Sequence, residues 1–193
     1  MGSPPEGQET VNVLALAATV IATRPELRDI FDMHYPYVCA SLRRFGIAES
    51  DREDLAIEVF CRVNARLREY DVSRPLKPWL FAFVARVASE HRKRERRRPE
   101  LVAPSSERAG AVAGDTDATV QARDARRLVL SALEALDDDK RTVFVLHDLD
   151  ECSVPDIAAS LGIPEGTVYT RLRAARTRFS QAVRRLMAHG RAP

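Results

Sequence analysis

The residues of this chain best equipped for chemistry are arginines, and the chemistry they offer is anion binding. From Arg86 to Arg98 the sequence sets Arg86, Arg92, Lys93, Arg94, Arg96, Arg97 and Arg98 against only Glu90 and Glu95. From Arg171 to Arg191 it sets seven arginines and no acid. Between these blocks, over residues 134–156, Glu134, Asp137, Asp138, Asp139, Asp148, Asp150, Glu151 and Asp156 face only Lys140 and Arg141. The formal net charge is only +2 over 193 residues. Charge is therefore segregated rather than accumulated, which points to two anion-binding surfaces on a nearly neutral chain. The second surface also carries Thr167, Tyr169 and Thr170 among its arginines. Guanidinium groups reach G O6 and N7 bidentately, threonine bonds bases or phosphates, and tyrosine packs on a thymine methyl or a sugar.

Other chemistries lack a usable pattern. Cys39, Cys61 and Cys152 are odd in number and widely spaced. With His34, His91, His147 and His189 they form no CxxC or zinc-ligand spacing. Inert thiols in a reducing cytoplasm are the simplest reading. Asp137, Asp138 and Asp139 stand at a helix start, where a cap explains them better than a catalytic metal. Neither a catalytic residue nor a metal or cofactor is expected. The apolar stretch VNVLALAATVIA near the N-terminus is too short to span a bilayer and has no basic segment before it. It reads as a helix packing on its own domain in a cytoplasmic protein.

The arginines need elements to aim them, and the clearest is SVPDIAASLGIPEGTVYTRLRAAR, Ser153 to Arg176. Ser153 and Asp156 have capping-box spacing, and Gly162 suits the left-handed end of a helix. Pro164 restarts the chain as a second helix. Ile157, Ala158 and Leu161 face inward from the first helix, Val168 and Leu172 from the second. Ala158 keeps the crossing close. A short turn between two steeply set helices is helix-turn-helix logic, with the second helix projecting to enter the major groove.

Upstream, Leu55, Val59, Val63 and Leu67 recur every four residues behind a candidate cap at Ser50-Asp51. An earlier helix, IFDMHYPYVCASLRRFG, contains Pro36 and closes at Gly46. The stretch DVSRPLKP is expected to be irregular because Pro75 and Pro78 interrupt it. A third helix is expected from near Trp79 into the arginine run, with Trp79, Phe81 and Phe83 in the core. A further pair follows: ARRLVLSALEAL, then roughly Lys140 to Leu149. Residues 99–121, rich in Pro, Ser, Gly and Ala, read as a flexible linker. The expectation is an all-α protein: an extension over 1–26, helical domains over 27–98 and 122–193, and the linker between them.

At these residues a resemblance appears. DREDLAIEVFCRVNARL resembles region 2.2 of bacterial sigma factors, and RPLKPWLFAFVARVASEHRKRERRR resembles regions 2.3 and 2.4 of their extracytoplasmic-function (ECF) group. LDDDKRTVFVLHDLDECSVPDIAASLGIPEGTVYTRLRAAR is similar to region 4 of that group. The resemblance implies a factor that binds core RNA polymerase and directs initiation, with region 4 on the −35 element and region 2 reading and opening the −10 element. It implies polymerase contact through the largest-subunit coiled coil and the flap, with Asp54, Glu58, Arg62 and Arg66 at the coiled coil.

For the −10 element it implies Arg74, Lys77, Arg86, Glu90, Arg92, Lys93, Arg94 and Arg97. DVSRPLKP would capture an extruded base, for which a pre-shaped pocket offsets the cost of unstacking. For the −35 element it implies Thr167, Tyr169, Thr170, Arg171, Arg173 and Arg176. An anti-sigma factor covering both domains is a further implied partner. The sequence departs from the family pattern at Ile57, Arg86, Glu90 and Asp137, so −10 preference cannot be copied from other members. A helix-turn-helix regulator acting without polymerase would explain Ser153 to Arg176, but not the first domain.

Overall fold

The computed structural model describes residues 25–97 and 117–189. The apolar N-terminal stretch and residues 98–116 of the expected linker and its flank lie outside them. Among the described residues there are seven α-helices and no strand. The first unit contains α1 (Leu27–Arg44), α2 (Glu49–Arg66) and α3 (Leu76–Arg96). The second contains α4 (Asp117–Leu133), α5 (Asp138–Phe144), α6 (Val154–Leu161) and α7 (Glu165–His189).

The four-residue apolar spacing does its expected work in α2, burying Leu55, Val59 and Val63 against α1 and α3. Phe45 and Phe81 meet at 5.7 Å between ring centroids and are fully buried. Each such side chain contributes about 1.5–3 kcal/mol of burial. Pro36 lies inside α1. The chain leaves α1 through Gly46 at φ +77°, a left-handed conformation that glycine adopts without steric cost.

Two starts differ from expectation. Helix α2 begins at Glu49 with Ala48 before it, and Ser50 bonds Asp51 rather than the backbone. Helix α3 begins at Leu76, so Pro78 does not interrupt it. Pro78 occupies the first turn, where its missing N–H would have had no helical partner. Trp79, half-buried, still packs as expected, against Tyr70 and Phe83. In the second unit α4 reaches back to Asp117, into the stretch read as linker. The helix expected over Lys140 to Leu149 is α5 followed by a widened, π-type turn over Val145–Leu149.

The two units are packed together. Helix α3 lies against α5 and α6, and α1 touches α4. One contiguous apolar cluster runs from Val38 and Phe81 through Leu133 and Leu146 to Val168.

Candidate nucleic-acid interface

The helix-turn-helix forms as its local chemistry dictates. The Ser153 hydroxyl accepts from the Asp156 amide at 3.3 Å and donates to the Asp156 carboxylate at 2.5 Å. Gly162 ends α6 at φ +65°, and the Ile163 amide closes the corner on the Ala158 carbonyl at 3.0 Å. Val168 and Leu172 of α7 are buried, as is Ala158 at the crossing. That packing leaves Tyr169, Thr170 and Arg173 on the open face, with Tyr169 59% exposed.

The six expected −35 residues share this helix but not one state. Thr167 is half-buried, and the Thr170 hydroxyl donates to the Gly166 carbonyl at 2.8 Å. Arg173 makes no ion pair among the described residues. Arg171 instead reaches Asp139 at 2.6 Å, and Arg176 grips Asp148 at 2.6 and 2.9 Å. The Arg176 guanidinium, donating to Asp148, holds that carboxyl below the usual range against the opposing effect of burial, with His147 assisting. Asp137, the expected cap, accepts from the Lys140 amide at 3.0 Å.

In the first unit Asp54, Ile57 and Cys61 lie exposed on one side of α2, opposite its buried stripe, and Arg66 is exposed as the last residue of the helix. Arg62 behaves differently from its neighbours. Its guanidinium bridges Glu58 at 2.5 Å and Glu90 at 2.6 Å, tying α2 to α3. This pairing lowers the pKa of Glu90. Thus Arg62 and Glu90, expected at different surfaces, meet in one part-buried bridge.

The loop before α3 is held by its own side chains. The Asp71 carboxylate accepts from the Ser73 amide at 3.0 Å and its hydroxyl at 2.7 Å, and Arg74 reaches back to Asp71 at 3.4 Å. The Tyr70 hydroxyl donates to the Arg74 carbonyl at 2.6 Å. Lys77 stands over the Tyr37 ring, 5.9 Å from its centroid. Along α3, Arg86, Lys93, Arg94 and Arg97 are exposed. Arg92 is not: it bonds Asp138 at the start of α5, in the other unit.

Several residues that sequence reasoning gave no role are prominent here. Asp150 accepts from the Tyr37 hydroxyl at 2.7 Å and from Arg44 at 2.9 Å, across the units. Arg141 is fully buried and donates to the carbonyls of Leu136 and Arg44 at 3.1 and 3.4 Å, facing the Phe45 ring. Desolvation lowers its pKa to about 10. The acidic block between two basic ones was the available signal for Asp138, Asp139 and Asp150. Nothing in the sequence gave their partners.

Comparison with known proteins gives the family. Residues 30–98 match the family model for sigma-70 region 2, and residues 126–179 the one for sigma-70, region 4. The RNA polymerase sigma factor CnrH of Cupriavidus metallidurans is 31% identical over 154 residues, covering 76% of this chain and 81% of the relative. The chain belongs to the sigma factors. The ECF RNA polymerase sigma-E factor of Escherichia coli K12 is 25% identical over 163 residues, covering 80% of this sigma factor and 85% of the relative. Solved structures share its fold. CnrH in complex with the cytosolic domain of CnrY matches with a TM-score of 0.56 at 25% identity, over 86% of this chain and 94% of that one. RpoE of Bartonella quintana, solved with the anti-sigma factor NepR, matches with a TM-score of 0.61 at 23% identity, covering 81% and 96%. No helix among the described residues is long and apolar enough to cross a membrane.

Proposed function

We propose that this ECF sigma factor binds core RNA polymerase and directs initiation by reading the −35 element with α7 and the −10 element with α3 and the loop before it. The observation that carries the reading is the outward face of α7, where Tyr169 and Arg173 stand exposed opposite buried Val168 and Leu172. Thr167, Thr170, Arg171 and Arg176 complete the −35 surface. Arg86, Glu90, Arg92, Lys93 and Arg94 of α3, with Arg97 just after it, serve the −10 element, and Arg74 and Lys77 hold phosphates beside the captured base. The α2 face with Asp54, Glu58, Arg62 and Arg66 docks on the largest-subunit coiled coil, and region 4 on the flap.

An anti-sigma factor is the proposed regulator. CnrH was solved with the cytosolic domain of CnrY, and the fold shared with Bartonella RpoE there carries NepR. The membership of both regions in one chain favours a polymerase subunit over a free-standing helix-turn-helix regulator.

The test is promoter-dependent transcription by reconstituted core polymerase, with and without this chain, on a genomic promoter library. Initiation at a defined promoter set is the expected result. Asp54→Arg, on an exposed site, should weaken association with core enzyme while circular dichroism is unchanged. Undiminished capture of core enzyme by the folded variant would remove α2 from the polymerase contact.

A further inference from the structure

We infer that the apolar stretch VNVLALAATVIA, residues 11–22, docks on an uncovered apolar stripe where α1 meets α2 and there competes with core polymerase. The competition rests on the polymerase contact proposed above for α2; the docking does not. Residues 10–23 carry no charged side chain, so an apolar surface is the natural partner of this stretch. Leu27, Phe31 and Tyr35 recur every four residues along α1 and share one face. Phe31 packs on Tyr35 at 5.1 Å and on Phe60 of α2 at 4.7 Å between ring centroids, yet it remains 37% exposed. Ile57, one turn before Phe60, is 48% exposed. Single exposed apolar side chains are ordinary on a protein surface. Here an aromatic and an aliphatic one flank the same buried ring, which makes a surface for a partner to cover.

Covalent connection brings the occupant to the stripe. Three residue steps separate Ala22 from Pro25, a reach of about 10 Å. From Leu27 to Tyr35 the stripe covers eight steps of helix, about 12 Å. Ala22 is thus held close to the stripe wherever the chain turns back. So short a tether gives an effective concentration of about millimolar, and weak apolar contacts then suffice. A second copy of the chain has no such advantage. Ile57 shares its side of α2 with Asp54 and Cys61. A segment lying on Ile57 therefore stands where the polymerase coiled coil must dock, and core enzyme has to displace it.

A reporter is already in place. Cys61 is an exposed thiol one turn from Ile57, whereas Cys39 and Cys152 are half-buried, and peptide mapping separates the three. The experiment compares the full chain, a chain lacking residues 2–22, and full-length Leu16→Glu, which puts a charge into the apolar stretch. Cys61 should react with a maleimide about ten-fold slower in the full chain than in the shortened one, as when the undocked form is a minor population. Leu16→Glu should react like the shortened chain. Affinity for core polymerase should rise by about the same factor in both variants, because apparent affinity scales with the undocked fraction.

Equal Cys61 rates in all three chains overturn the inference, since the stripe is then open. Protection that strengthens with the concentration of the full chain also overturns it, because the occupant is then a second copy. If the shortened chain loses its helical circular dichroism, Leu16→Glu alone decides by the same criteria. Failure of the underlying reading shows separately: Cys61 protected in the full chain, with core affinity equal in all three, upholds the docking and removes α2 from the polymerase contact.

Discussion

The arginines of α7 differ in what holds them, and that sorts their roles. Arg173 points outward without an ion pair among the described residues, whereas Arg176 is already engaged with Asp148. Arg173→Ala should cost about 1–3 kcal/mol of promoter binding and relax preference at one −35 position. Arg176→Ala should weaken all promoters alike, as removal of a phosphate-binding group does. Selection from randomised −35 elements with each holoenzyme separates these outcomes. An unaltered selected sequence for Arg173→Ala would mean that another face of α7 enters the groove. The sequence already distinguishes this face from Val168 and Leu172, because a 3.6-residue period is local information. It does not reveal that Arg171 and Arg176 are held by carboxylates 32 and 28 residues upstream.

Among the elements, α3 ends in a dense arginine run and α7 carries a two-point tie to Asp148. Alanine at Arg92, Arg94 and Arg97 together should flatten the logarithmic salt dependence of promoter binding by holoenzyme, by roughly 0.9 for each phosphate left without its arginine. A wild-type slope would reduce the run to a solvated helix end. The tie of α7 to the turn after α5 is Asp148 with Arg176, and it should depend on pH. The folded carboxyl titrates below its unfolded counterpart. Its stabilisation is therefore complete above the ordinary carboxylate range and is lost as pH falls through the depressed folded value. The gap in thermal midpoint between wild type and Asp148→Asn should be widest near neutrality and close on acidification. A gap that is constant with pH would show that the pair contributes nothing.

Element boundaries are legible where a side chain closes on its own backbone, as Ser153 and Asp137 do. Proline misleads when it is treated as a breaker without regard to position. Pro78 is harmless because it stands in the first turn of α3. The cap expected at Ser50 does not form because the helix already begins at Glu49, and the Ser50 hydroxyl bonds Asp51 instead.

For the whole molecule, the apolar cluster that crosses from α1 and α3 into α5, α6 and α7 predicts joint behaviour. The wild-type chain should unfold in a single calorimetric transition at low salt. Asp150→Ala should split it into two, one for each unit. A single transition in the variant would show that the units do not depend on the Asp150 contacts for their coupling. None of this packing is legible in the sequence. Tyr37 and Asp150 are 113 residues apart, and no periodicity encodes a meeting across a linker.

The buried guanidinium of Arg141 sets how firmly the units adhere. One of its nitrogens, Nε, has no hydrogen-bond partner among the described residues, and the group reaches the other unit through the Arg44 carbonyl and the Phe45 ring. A leucine or methionine there would seal the seam with dispersion and carry no hydration to recover. The arginine gains water when the seam parts, so separation is cheaper than the apolar area alone implies. The same charge that makes this interface inefficient as glue makes it reversible.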